Sequence, residues 1–197
     1  MKTFIVMRLG CSAGLVAFCA VATPAAAQVS YCVHSPVVAA FAVYVAVSQQ
    51  DGDGLAKLVH PDRGVRVSPS VFVDPETDLT LERDDVARLW TDEAIRDWGY
   101  SEGSGDPITL TGAGYVAAYV TDNGFDTPVR VLVGGSDQTG GTVNNATDVY
   151  ADAAIVEFRS EGNAASETDW TALRMAFVFD EDGCNRLVGL ISDRWAP

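Results

Sequence analysis

Leu173-Arg174-Met175-Ala176-Phe177-Val178-Phe179, then Asp180-Glu181-Asp182-Gly183-Cys184, then Leu187-Val188-Gly189-Leu190-Ile191-Ser192, reads as two strands joined by a tight turn. Leu173, Met175, Phe177 and Phe179 recur every second residue, which puts them on one strand face, and Asp182-Gly183 supplies the positive φ of a hairpin turn. A two-residue turn there sets Arg174 opposite Ile191, with Asp193 diagonal to Arg174 and Trp170 opposite Trp195. A three-residue loop would break that register. One sheet face then carries an Arg and Asp pair between two indoles, and the other carries Leu173, Met175, Phe177, Phe179, Val188 and Leu190, suited to packing under helices. The Arg174 and Asp193 pair reads two ways: a half-buried grip for a polar ligand, or a plug in which the charges satisfy each other.

Upstream of the hairpin, Val129 to Val133 and Ala153 to Arg159 read as strands, with the Gly, Thr and Asn-rich stretch Gly134 to Asn145 a long loop between them. Val65 to Val73 alternates but contains Pro69, which predicts two short strands or a broken edge strand. The helices come first. Ser35-Pro36 offers an N-cap and a first helical position for Val37 to Gln50, whose apolar residues surround the axis and predict a helix buried under a sheet. Asp51-Gly52-Asp53-Gly54 ends it and opens a short helical turn, Leu55 to Val59; the loop lacks the later ligands of a calcium site. Glu82 to Trp90 reads as an amphipathic helix, Gly99 to Pro107 as a loop, and Ala113 to Val120 as a short helix. Helices early and antiparallel strands late, without regular alternation, predict an α+β domain with helices packed on one face of a curved, mainly antiparallel sheet.

Residues 1–27 predict a cleaved signal peptide: Lys2 and Arg8 precede the apolar run Leu9 to Val21, and Ala25-Ala26-Ala27 provides the cleavage site. Neither Cys11 nor Cys19 has the preceding residues of a lipid-modified cysteine, and the apolar run is too short for a permanent anchor. Residues 28–197 are then a single domain that is periplasmic or secreted. Losing Lys2 and Arg8 moves the formal charge from -14 to -16, a field that repels nucleic acid and anionic lipid. Cys32 and Cys184 remain, and in an oxidising compartment they predict one disulfide. With His34 and His60 they lack metal-ligand spacing, so no metal is expected.

Short chemical motifs are weak. Gly112-x-Gly114-x-x-Ala117, with Asp137 downstream, has the outline of a dinucleotide fingerprint, but the chain does not continue as βαβ, and Thr111 capping a short helix explains it better. No cofactor is expected. No G-x-S-x-G occurs, and His60 before Pro61 reads as a loop imidazole rather than a general base.

Taken in order, His60-Pro61-Asp62-Arg63-Gly64-Val65-Arg66-Val67-Ser68-Pro69, Asp97-Trp98-Gly99 with Gly103-Ser104-Gly105-Asp106-Pro107-Ile108, Asn144-Asn145, Asp169-Trp170-x-x-Leu173-Arg174 and Leu187 to Trp195 span most of the chain after the leader. Together they resemble a family of uncharacterised bacterial exported proteins and lipoproteins, and the final strand is similar to the end of NTF2-like (SnoaL-like) cone-shaped α+β domains. Members often carry an aromatic pair where this chain has Asn185-Arg186, and a His where it has Ser192. The resemblance implies an NTF2-like cone with its site at the mouth and brings no activity with it. The expected function is non-catalytic binding of a small ligand or an envelope partner, with Trp98, Trp170, Arg174, Asp193 and Trp195 as candidate ligand residues. The alternative is an enzyme of isomerase, dehydratase or hydrolase type using Asp97, Asp169 or Asp193 as general acid or base.

Overall fold

In the computed structural model, which describes residues 32–121, 130–135, 143–161 and 170–194, Ser35 caps α1 (Pro36–Ser48), its Oγ accepting from the Val38 N–H at 3.4 Å. Asp51 caps α2 (Gly52–Leu58) by accepting from the Gly54 N–H at 2.9 Å. The far end of α2 is closed by two guanidiniums. Arg83 donates from Nε and Nη2 to the Val59 carbonyl, and Arg186 donates from Nη1 to the Lys57 carbonyl, so cations meet the negative end of the helix.

Pro69 ends β1 (Val65–Ser68), and the next strand is β2 (Leu79–Leu81), so Val65 to Val73 is not continuous strand. The expected helix from Glu82 to Trp90 is only α3 (Arg83–Ala87). Arg96–Tyr100 forms β3 and pairs with β4 (Pro107–Leu110), bulging between Asp97 and Tyr100 where Gly99 takes φ 100°. The stretch after Gly99 was expected as loop, and Arg96–Tyr100 has no apolar alternation to announce a strand. Gly112–Tyr115, α4, runs directly into a π-helical segment, Val116–Thr121. The remaining elements are β5 (Arg130–Val133), α5 (Ala146–Val149), β6 (Ala154–Glu161), β7 (Trp170–Phe179) and β8 (Asn185–Arg194).

Six strands form one sheet in the order β2-β1-β8-β7-β6-β5, with only β1 and β8 parallel, so the class is α+β with a mainly antiparallel sheet. Residues of α1 to α4 and the π-helical segment bury their apolar side chains on Val156, Phe158, Leu173, Met175, Phe177, Leu187 and Leu190. Against the expectation of helices on one face only, α5 lies on the other. There Ala146 and Tyr150 cover Val73, Ile155, Ala176, Val178, Val188 and Ile191. Gly189 permits this, because a Cβ there would sit 2.6 Å from the Tyr150 Cζ.

Arg174 does face Ile191, but two departures cancel to bring this about. The turn is the three-residue loop Glu181 to Gly183, closed by the Asp180 N–H on the Cys184 carbonyl at 3.0 Å, with Gly183 at φ 74°. That displaces Phe179, Val178 and Phe177 onto Asn185, Arg186 and Leu187. Val188 then bulges out of register, and from Ala176 opposite Gly189 onward the expected pairing returns. The bulge also turns Val188 to the α5 side, not the helix side expected of it, and Phe179 at the strand end is exposed.

Cys32 and Cys184 form a disulfide across 152 residues, with Cα atoms 4.9 Å apart. The segment around it is stitched to the same loop: the Val33 carbonyl accepts from the Asn185 N–H at 2.7 Å, and His34 Nδ1 donates to the Gly183 carbonyl at 3.0 Å. Closing so long a loop removes unfolded-state entropy on the order of 5 kcal/mol in the chain-entropy account.

Candidate functional site

Trp170, Arg174 and Asp193 meet on the α5 side of the sheet, and Glu157 joins them from β6. Arg174 donates from Nε to Glu157 Oε2 at 2.9 Å and from Nη1 to Asp193 Oδ2 at 2.7 Å, all three side chains being essentially inaccessible to solvent. Arg159 lies 3.7 Å from Glu157 Oε1, and its guanidinium carbon stands 3.9 Å over the Trp170 ring. Two arginines and two carboxylates thus form a neutral network. Gly135, at φ 74°, brings its backbone over the network, where an ideal Cβ would stand 3.6 Å from Glu157 Oε2 and 3.9 Å from Arg174 Nε. Sequence reasoning missed Glu157 because its place opposite Arg174 depends on the β6 and β7 register, for which the intervening sequence gives no turn signal.

Trp98 is not part of this group. It is fully buried in the helix-side core, its ring stacked on Tyr115 at 4.2 Å and its indole N–H donating to the Leu110 carbonyl at 2.9 Å. Trp195 and Asp169 lie outside the described residues, as does Asp137. Asp97 is exposed and accepts from the Gly99 N–H at 3.1 Å.

The helix side contains open space as well. A cavity of about 310 Å³ lies between α1, the π-helical segment and the sheet, lined by Val43, Tyr44, Val47, Trp90, Val116, Ala117, Val120 and Leu173. Ser48, Gln50 and Thr121 add polar groups to its wall. Two local features shape it. The π-helical turn widens the backbone beside Ala117, with Thr121 Oγ1 donating back to the Val116 and Ala117 carbonyls at 3.3 and 3.4 Å. At the end of α1, Gln50 takes φ 54° and its N–H donates to the Val47 carbonyl at 3.0 Å. Among the described lining residues there is no Asp, Glu, Lys, Arg or His.

Other titratable groups are engaged locally. His60 Nδ1 accepts from the Asp62 and Arg63 N–H groups, both at 3.2 Å, and burial with the nearby Arg63 charge lowers its pKa. Burial raises the carboxyl of Asp78, which accepts from the Ser68 hydroxyl and from the Asp74 N–H at 2.9 Å. Burial, followed by the Asp193 charge, raises Glu102. Thr111 Oγ1 accepts from the Gly114 N–H at 3.1 Å, the capping role that accounts for the Gly112 motif. Among the described residues no three His, Cys, Asp or Glu side chains converge as metal ligands, and no helix is long and apolar enough to cross a membrane.

Compared with protein-family models, curated proteins and solved structures, the chain matches none.

Proposed function

We propose that this chain is a non-catalytic exported binding domain of the NTF2-like cone type, and that it takes a small, uncharged, mainly apolar molecule at the cone mouth. The observation that carries the reading is the helix-side cavity, whose volume of about 310 Å³ falls in the range of small-molecule sites. Its wall has no formal charge among the described residues, so a charged ligand would lose its hydration without gaining a counter-ion. Tyr44, Ser48, Gln50 and Thr121 offer hydrogen bonds for one polar group on such a molecule. Export is supported by the Cys32 and Cys184 bridge and by the leader sequence, and it is tested by the intact mass of the protein recovered from the periplasm or medium, which should begin at Gln28.

Thermal unfolding with paired probes tests the binding reading: indole as the neutral member and indole-3-acetate as the charged one. Indole at about a hundredfold excess over its Kd should add about 2.7 kcal/mol, roughly 5–10 °C for a domain of this size, and the carboxylate much less. Ala117→Trp, which fills the cavity from its exposed wall, should abolish the shift while leaving the unliganded Tm nearly unchanged. Equal shifts from both probes, or a shift that survives Ala117→Trp, would overturn the assignment.

A further inference from the structure

The strand β5 ends the six-stranded sheet, and among the described residues no further strand covers its outer side. The Gly134 N–H donates to the Ile155 carbonyl at 2.8 Å, so by the alternation of an antiparallel ladder Leu132 also turns its backbone polar groups toward β6, whereas Val131 and Val133 turn theirs outward. Among the described residues those outward groups meet no partner. The side chains of the same two residues lie on the helix side, opposite Phe158 and Val156, and are 37% and 66% exposed. Phe41 of α1 packs on Phe158 with ring centroids 4.9 Å apart and continues the patch along Val38 and Val45. These three residues recur at helical spacing, and all are more than 40% exposed. The expectation that α1 is buried all round therefore fails on one stripe, which adjoins an open strand edge.

We infer that this surface is the interface between two copies of the chain, joined edge to edge through antiparallel pairing of β5 with its counterpart. Setting Val131 of one copy opposite Val133 of the other makes both such pairs hydrogen-bonded, satisfies all the outward polar groups of the two residues, and keeps their side chains on one face. The two-fold axis stands perpendicular to the sheet, so both helix layers remain on the same side and the two Phe41 stripes meet above the seam. Charge selects a second copy as occupant. The chain carries formal charge -14, but α1 has no charged residue and β5 has only Arg130, so these two elements set no carboxylates against each other when two acidic molecules meet. A cationic partner would find no acidic residue in either element, and the overall charge repels an anionic membrane.

Sedimentation velocity on the purified protein, expressed from the full chain, tests the inference at about 5 to 100 micromolar protein. The expected result is a monomer and dimer equilibrium within that range. Val133→Pro removes one outward N–H without touching the β6 ladder, and Val38→Glu places a carboxylate in the stripe. Each should raise the dimer Kd at least tenfold while the circular dichroism stays native. If Val133→Pro fails to fold, Val131→Lys, also on the exposed face, takes its place. A protein that stays monomeric throughout the range overturns the proposal, as does a dimer that persists in the folded variants.

Discussion

On the helix side of the sheet the strands bury mainly apolar side chains, Val156, Phe158, Leu173, Met175 and Leu190 among them, whereas the opposite face of the same strands buries Glu157, Arg159, Arg174 and Asp193. The two faces respond differently to a gap. An apolar wall beside empty space forfeits dispersion contacts and little else. A buried guanidinium that loses a counter-charge costs several kcal/mol. The cavity beside α1 lies on the apolar side, and on the other side the Gly135 backbone approaches the ionic network. A polar residue cluster alone is thus a poor guide to where a ligand goes in this molecule.

Substitutions on the two faces break or sharpen that contrast. The largest effect belongs to the ionic face: Arg174→Met leaves Glu157 and Asp193 buried without their shared cation and should cost about 3–5 kcal/mol, measured by urea unfolding. A cost below that of Leu173→Ala would mean that the network is not as closed as its geometry indicates. Leu173→Ala on the opposite face should cost about 2–3 kcal/mol, near the low end for such truncations because the side chain already borders a cavity. Gly189→Ala should cost about 1–2 kcal/mol as Tyr150 is pushed from its site, and a neutral result would show that α5 shifts easily.

The smallest effect is a pH dependence. Burial holds the folded pKa of Asp78 above its ordinary value of 3.8, so the folded state favours the protonated form. Its contribution is most favourable below the unfolded pKa and is lost as pH rises through the folded one. The stability of the wild type relative to Asp78→Asn should accordingly fall as the pH rises above 3.8, and a difference independent of pH would remove the desolvation account.

Local chemistry made some of this legible and long-range register hid the rest. Asp182-Gly183 and the alternation from Leu173 to Phe179 located the hairpin, and the Arg174 and Asp193 pair followed from it. The three-residue loop and the Val188 bulge were invisible because their displacements cancel beyond Ala176. Glu157 could not be placed, since the eight residues 162–169 between β6 and β7 carry no hairpin-turn signal in sequence to set the register. The uniform apolarity of α1 announced burial but could not say which stripe would stay in solvent, because that depends on the sheet edge beneath it. The cavity had no signal at all: its lining comes from segments scattered between Val43 and Leu173, and the π-helical turn is a backbone adjustment without a sequence motif.

The position of β8 sets the order in which this molecule can be finished. It is the last strand in sequence among the described residues, yet it lies inside the sheet, between β1 and β7. A nascent chain halted before Cys184 has two strands waiting on either side of an empty slot. It also lacks Cys184, which trails Cys32 by 152 residues, roughly 8 to 30 s of synthesis at ordinary elongation rates. Until then Cys32 lacks its disulfide partner, and the earlier strands carry unpaired edges. Maturation is therefore a late, all-at-once event, and a chain ending before Cys184 should be recovered reduced and aggregated instead of partly folded.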